Sequence, residues 1–99
     1  MITYLKNENL DDLTKDKKVL IDFYADWCMP CNMLGESIEE IVDEDKNVNV
    51  VKINVDEHPD LAREYGVMSI PLLLLSENNK TVKKHVGLME KEELIEWMK

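Results

Sequence analysis

The sequence predicts an α/β protein with a central mixed β-sheet of four or five strands and helices on both faces. Three observations predict this fold class. Residues 19–25 form a near-continuous apolar run, which is typical of a strand that is covered on both faces. Apolar residues then recur at helical spacing, at Leu34, Ile38, Ile41 and Val42. Two later segments, 72–75 and 81–86, flank a turn and predict a hairpin.

The N-terminal half is expected to alternate strands and helices. Residues 2–5 predict a short edge strand, and Leu10 and Leu13 give a brief helix one buried stripe. The helix that follows the first apolar run is expected to end near Asp45. Residues 48–54 alternate between apolar and polar side chains and predict another strand.

The C-terminal half adds a short helix, the hairpin and a last helix. Pro59 suits the first turn of a helix that runs to Tyr65 and is stopped by Gly66. Residues 77–80 supply the turn of the hairpin, and the last helix follows Gly87. Strands that are joined through helices must pair in parallel, whereas a hairpin pairs antiparallel, so the sheet is predicted to be mixed.

Length and composition predict one soluble domain. The chain has 99 residues, with 44% apolar and 33% charged residues, which fits a single globular domain over residues 1–99. The net charge of −9 argues against a nucleic-acid partner. No apolar run is long enough to span a membrane, and Glu8 comes too soon for a secretory leader. We therefore expect a cytoplasmic monomer without a membrane partner.

The two cysteines form the strongest chemical motif. Cys28 lies just beyond a buried strand, where the chain turns into a helix and where α/β proteins usually place their sites. Unpaired N–H groups and the helix dipole favour a thiolate there and lower the thiol pKa from about 8.5. Pro30 fits the first helical turn, and Cys31 is one turn away from Cys28. Such a pair in a reducing compartment indicates catalysis or metal binding.

Asp22 is a carboxylate inside the buried strand. A charge there is unfavourable unless it is paired or protonated, and desolvation raises the pKa of the carboxyl group towards neutrality. A carboxyl group with such a pKa is a good general acid or base. The alternative is a strand residue that faces solvent at a sheet edge, but its neighbours Leu20 and Tyr24 do not fit a polar face.

The segment Trp-Cys-Met-Pro-Cys, residues 27–31, resembles the active site of the thioredoxin family, and the resemblance covers nearly the whole chain. Other matching positions are Asp22-Phe23, Ala25, residues 52–56, residues 65–67, Ile70-Pro71 and Val86-Gly87. The resemblance implies the thioredoxin fold and a thiol–disulfide oxidoreductase that reduces protein disulfides. Cys28 would attack the substrate, Cys31 would resolve the mixed disulfide, and the two would end joined in a redox disulfide.

The resemblance also assigns roles around the cysteines. Asp22 would exchange a proton with Cys31 through water, and Lys52 would pair with this acid and temper its pKa. The Ile70–Pro71 bond would be cis, which exposes the backbone of Ile70 to an extended substrate strand. The alternative is a trans proline that merely starts a strand.

Four further residues are expected at the substrate surface. Trp27 would be an apolar platform beside Cys28, although a core tryptophan is the generic alternative. Pro30 and the flexible Met29 would add contacts. Gly87 would let a substrate backbone approach closely, unless it is only a glycine at a helix start.

Several positions depart from the common family pattern. Met29 replaces a glycine and Leu72 replaces a threonine, and both are expected on the binding surface. Tyr24 replaces a frequent tryptophan. Glu36 stands where a proline often kinks the second helix, with Gly35 beside it.

The sequence contains no nucleotide or flavin motif, so we expect no cofactor. The resemblance instead implies a separate reductase, commonly a flavoprotein that uses NADPH. One alternative is a zinc module with Cys28, Cys31, His58 and His85 as ligands. Another is a binding protein that keeps the fold as an assembly subunit or chaperone. Within the redox class, reductase, oxidase and isomerase stay open, and a cytoplasmic setting favours reduction.

Overall fold

Nine elements follow one another in the computed structural model, which describes all 99 residues. They are β1 (Ile2–Tyr4), α1 (Leu10–Thr14), β2 (Lys18–Tyr24), α2 (Met29–Glu44), β3 (Val50–Asn54), α3 (Pro59–Glu64), β4 (Leu72–Glu77), β5 (Lys80–Val86) and α4 (Lys91–Trp97). The strands form one sheet in the order β1-β3-β2-β4-β5. The pairs β1–β3 and β2–β3 are parallel, and β2–β4 and β4–β5 are antiparallel. The predicted mixed sheet is confirmed, with five strands.

Each face of the sheet has its own apolar core. On one face, Ile21 and Phe23 of β2 pack in a cluster with Leu10 of α1, and Leu61 and Tyr65 border it. The other face is covered by α2 and α4, and its buried residues include Leu20, Leu34, Ile38, Met89 and Leu94. A buried side chain of this size contributes roughly 1.5–3 kcal/mol through removal from water. Helices therefore cover both faces, as the sequence predicts.

Local sequence explains where the short elements begin and turn. Asn9 caps α1, because its side-chain oxygen accepts hydrogen bonds from the amides of Asp11 at 2.9 Å and Asp12 at 3.4 Å. Asn78 and Asn79 have φ of 51° and 69°, which suits the two-residue turn between β4 and β5. The predicted hairpin is therefore formed by a turn that asparagine tolerates.

The prediction for residues 48–54 is partly wrong. The strand starts at Val50, and all five of its residues are buried rather than alternating in exposure. The reason is its place in the sheet, since β3 lies between β1 and β2 and is covered on both faces. Val48 instead belongs to the turn before the strand, where its amide donates to the carbonyl of Asp45.

The carboxyl ends of β2 and β3 lie at the same edge of the sheet, because the two strands are parallel. Cys28 and α2 follow β2 at this edge, and β4, which is antiparallel to β2, begins here with Leu72 after the Ile70-Pro71 segment. None of the helices combines the length and hydrophobicity that crossing a bilayer requires.

Candidate active site

The two cysteines form a disulfide at the start of α2. Cys28 is the N-cap residue, and its Sγ accepts a hydrogen bond from the amide of Cys31 over 3.3 Å. Pro30 lies in the first turn, where its missing N–H removes no helical hydrogen bond. Cys28 is 5% exposed and Cys31 is 2% exposed. The first sulfur therefore lies where a backbone donor and the helix dipole favour negative charge.

The Ile70–Pro71 segment lies against this disulfide. Its peptide bond is cis, and the carbonyl oxygen of Ile70 lies 3.9 Å from Sγ of Cys28. The amide of Gly87 donates to the carbonyl of Pro71 over 2.8 Å. Gly87 follows β5 and has a φ of 100°, a conformation that side chains rarely allow, so it is more than a helix-start glycine. The structure thus brings residues 28, 70, 71 and 87 together.

An apolar groove opens beside the disulfide. Three side chains are largely exposed on it, with exposed fractions of 72% for Trp27, 69% for Met29 and 94% for Met68. The groove has a volume of about 550 Å³ and is also lined by Cys28, Pro30, Val55, Ala62, Val67, Ser69 and Ile70. Trp27 is therefore not a core residue. Its indole Nε1 donates to Oδ2 of Asp56 over 2.9 Å, which holds the ring at the groove.

Asp22 is fully buried, so the alternative of an exposed edge position is wrong. It pairs in register with Lys52, and the Lys52 Nζ lies 3.2 Å from its Oδ2. This contact is an ion pair without hydrogen-bond alignment, and neither carboxylate oxygen has a hydrogen-bond partner. Burial raises the pKa of Asp22, and the opposing pull of the Lys52 charge is weaker. The carboxyl group therefore holds its proton to a higher pH than an exposed aspartate.

Lys52 and Cys31 line a second, polar pocket behind the disulfide. The pocket has a volume of about 240 Å³, and its other lining residues are Tyr4, Tyr24, Asp26, Asn32, Gly35, Glu36 and Glu39. Asp22 does not line it and lies behind Lys52. Cys31 and Lys52, the partner of the buried acid, thus share one opening to solvent.

One expected surface residue lies in the core. Leu72 is 1% exposed and packs in the cluster that contains Phe23, so the prediction that it forms part of the binding surface is wrong. It pairs with Phe23 across β2 and β4, and their side chains therefore share the face that α1 and α3 cover. Met29, the other departure expected at the surface, does lie there.

The sequence analysis assigned no site role to three residues of this region, although Asp56 lies in the matching segment 52–56. Met68 is the most exposed groove residue, and its place two residues before Ile70 was the available signal. Asp56 holds the Trp27 ring and follows a strand at its carboxyl end, a usual position for site residues. Tyr4 borders Lys52 across the sheet, and no local sequence feature indicates this contact.

The residues of the zinc alternative are not brought together. No group of three or more histidine, cysteine, aspartate or glutamate side chains is arranged to hold a metal ion. The two cysteines are joined in the disulfide, and His58 Nε2 donates a hydrogen bond to the carbonyl of Leu5 over 2.9 Å. His85 packs edge-on against Trp97.

A mixed sheet that places a Cys-x-x-Cys disulfide at the start of a helix, beside a cis-proline segment, defines a thiol–disulfide oxidoreductase. The sequence profile of the thioredoxin family matches residues 1–99. A thioredoxin from Rickettsia bellii is 46% identical over 87 residues, which are 87% of this chain and 83% of that protein. A thioredoxin from Chlamydia caviae is 42% identical over 95 residues, 96% of this chain and 93% of that protein.

Solved structures agree with these relatives. A mutant thioredoxin from Halobacterium salinarum superimposes with a TM-score of 0.89 at 40% identity, covering 98% of this chain and 87% of that one. The chain belongs to the thioredoxin family. It is a thiol–disulfide oxidoreductase that works by dithiol–disulfide exchange through the Cys28–Cys31 pair. The family acts on protein disulfides and is reduced again by a partner reductase.

Proposed function

We propose that this protein reduces disulfides in other proteins, as a monomer whose single domain spans residues 1–99 and which works in the cytoplasm. Two cysteines at Cys-x-x-Cys spacing suit catalysis in a reducing compartment better than structural crosslinking. Reduction by a separate flavoprotein that uses NADPH would complete the cycle, since the sequence contains no nucleotide or flavin motif through which the chain could draw electrons from a nicotinamide itself.

Cys28 is the attacking residue in this proposal. Its thiolate attacks one sulfur of the substrate disulfide, a Cys28–substrate disulfide forms, and the first substrate thiolate leaves. The supporting observation is the amide of Cys31, which donates to Sγ of Cys28 over 3.3 Å and would stabilise the thiolate in the reduced protein.

Cys31 resolves the mixed disulfide, with Asp22 as its base. The Asp22 carboxylate takes the proton of the Cys31 thiol through water, and the thiolate attacks the sulfur of Cys28 and expels the second substrate thiolate. Two electrons pass from the dithiol to the substrate. Lys52, 3.2 Å from Asp22, limits how far burial raises the pKa of the base and so keeps it usable near neutral pH.

The substrate lies as an extended segment across the groove. The backbone of Ile70 would pair with it in the manner of a β-strand, next to the cis bond to Pro71. Gly87 leaves open space around its Cα, so a chain can pass close to it. The exposed side chains of Trp27, Met29 and Pro30 would contact apolar residues that flank the substrate cysteine.

The observation that carries the proposal is the capped sulfur of Cys28, and trapping tests it. We expect Cys31→Ser to accumulate a mixed disulfide through Cys28 when it is mixed with a protein disulfide, because the resolving thiol is missing. The matched control is Cys28→Ser, which keeps Cys31 and should trap little. Non-reducing gels and mass spectrometry of the crosslinked peptide give the result.

Equal trapping by both variants would show that the roles of the cysteines are not those proposed. The direction of the reaction is tested separately. Equilibration of the Cys28–Cys31 pair with glutathione should give a reduction potential below that of the cytosolic pool, and a potential well above it would indicate an oxidase.

A further inference from the structure

Gly35 lies in the interior of α2, where the backbone conformation does not require a glycine. It lies in the seventh position of the 16-residue helix, and its φ is not in the left-handed region. Glycine is less favourable than alanine at such a position, because its backbone loses more conformational freedom when the chain folds. A glycine at this position therefore weakens the helix, unless a contact favours the small residue.

The contact is the ammonium group of Lys52. A Cβ atom on residue 35 would lie 3.2 Å from Lys52 Nζ, closer than the roughly 3.5–4.0 Å at which non-bonded heavy atoms attract best. Apart from the adjacent residues and the backbone of the helix itself, no other atom comes within 4 Å of that Cβ position. An alanine at this position would therefore push on the lysine ammonium group alone.

The ammonium group of Lys52 also lies near one carboxylate and two aromatic rings. The Asp22 Oδ2 lies 3.2 Å from it, the ring centre of Tyr24 at 4.6 Å and the ring centre of Tyr4 at 5.8 Å. Aromatic faces attract a cation, so the two rings and the carboxylate all favour the charged lysine. Burial raises the pKa of the Tyr24 hydroxyl, so the ring next to the ammonium group stays neutral.

Lys52 connects Asp22 to the polar pocket, because its ammonium group contacts the carboxylate. Lys52 lies in the wall of the polar pocket that also reaches Cys31, whereas Asp22 does not line that pocket. The other titratable groups that line the pocket are Asp26 after β2, Glu36 and Glu39 on α2, and Tyr4 and Tyr24. Glu57 also acts electrostatically on Tyr24. Lys52 is thus the one cation among acidic and phenolic groups.

We propose that Gly35 is a positioning residue for the resolving step: because it lacks a side chain, the ammonium group of Lys52 lies against Asp22 in the pocket that Cys31 shares. The proposal rests on the function proposed for Asp22, the base that takes the Cys31 proton. A side chain on residue 35 pushes the ammonium group by a few tenths of an ångström and disturbs its contact with the carboxylate. The counter-charge then stabilises the ionised form of Asp22 less well, and the pKa of Asp22 rises further.

The test is Gly35→Ala in the otherwise unchanged protein. In the oxidised protein, NMR titration of the Asp22 carboxyl carbon should show a higher pKa than in the parent. In the protein whose Cys28 is joined to a substrate in a preformed mixed disulfide, the rate–pH profile for resolution by Cys31 should move to higher pH. Resolution at pH 7 should slow about twofold, and the difference from the parent should shrink as the pH rises, because the rate follows the ionised fraction of the base.

Two further variants separate positioning from a change in the helix. Lys52→Met should raise the Asp22 pKa by itself, and Gly35→Ala added to it should have no further effect. Asp43→Ala also raises the helix propensity of α2, but its side chain is 81% exposed and paired only with Lys46, so neither the pKa nor the profile should move.

The proposal is overturned if Gly35→Ala moves neither the pKa nor the profile, or if it moves them equally with Lys52→Met present. Asp22→Asn is run beside these variants. If the rate–pH profile of Asp22→Asn equals that of the parent, the proposed catalytic role of Asp22 is wrong. The NMR titration of Asp22 in Gly35→Ala then still decides whether Gly35 positions Lys52.

Discussion

Two opposing effects act on the carboxyl group of Asp22. Its burial disfavours the ionised form, and the Lys52 ammonium group at 3.2 Å favours it. Burial is the larger effect, so the pKa is raised above its ordinary value. Between the unfolded and the folded pKa, the folded protein binds more protons than the unfolded chain. Stability must therefore fall as pH rises from about 4 through the folded pKa.

Because stability falls as Asp22 ionises, we predict that Asp22→Asn stabilises the protein at high pH. The neutral amide avoids the cost of an ionised buried group, so the variant should be more stable than the parent at pH 8, by on the order of 1 kcal/mol. The gain should be smaller at pH 4, where the parent carboxyl group is protonated. Denaturant unfolding of both oxidised proteins at the two pH values gives the free energies of unfolding.

Asp43→Asn is the control for this measurement, because Asp43 lies on the surface and its removal should change stability by less than about 0.5 kcal/mol. If the free energies of unfolding of Asp22→Asn and the parent differ by the same amount at pH 4 and pH 8, the pKa of Asp22 is not raised in the folded protein.

Single residues differ in how far the sequence could predict them. The cysteines and Asp22 were predictable, because a thiol pair and a buried carboxylate stand out in any local window. Tyr4 was not, since its contact with Lys52 requires the pairing of β1 with β3 across nearly fifty residues. Leu72 was placed wrongly because the family pattern gives its position in the chain, whereas the register with Phe23 decides which way its side chain points.

At the scale of elements, the start of α2 combines structure and chemistry in one residue. Cys28 caps the helix through Sγ, and the amide of Cys31 that it satisfies is the donor that would stabilise a thiolate. A helix N-terminus leaves its first amides without helical partners, so one side chain can serve both purposes. We therefore expect the hydrogen bond from the amide of Cys31 to Sγ of Cys28 to cap the helix and to stabilise the thiolate at the same time.

Two substitutions that both remove the disulfide test this sharing. Cys28→Ser keeps an N-cap acceptor, whereas Cys28→Ala does not, so the serine variant should be more stable by about 1 kcal/mol. Because neither variant can form the disulfide, their comparison contains no crosslink contribution. Urea unfolding under reducing conditions measures the difference, and equal stabilities would show that residue 28 does not cap the helix.

Elements were predictable where their pattern is local. Periodic apolar residues gave α2, and paired asparagines gave the turn between β4 and β5. The alternation expected for β3 failed because that pattern assumes one solvent-facing side, and a strand between two others with helices above and below has none. Burial on both faces is a property of the assembled sheet.

At the scale of the whole molecule, charge and apolar surface are separated at the site. The chain carries a net charge of −9, yet no charged side chain lines the groove beside the disulfide. Exposed carboxylates flank it, with Asp26 next to Trp27 in sequence and Asp56 bonded to the indole. The net charge was evident from the composition, but this arrangement depends on which loops meet at the edge of the sheet.

The separation predicts how salt changes substrate choice. Long-range repulsion should slow the encounter with an anionic peptide disulfide and speed that with a cationic one, whereas apolar contact in the groove is insensitive to salt. Raising the salt from about 0.02 to 0.5 M shortens the screening length several-fold. The second-order rate constant should then rise for the anionic peptide and fall for the cationic one, each by several-fold. A neutral peptide of the same apolar sequence is the control, and a common salt effect on all three would mean that the net charge does not steer the encounter.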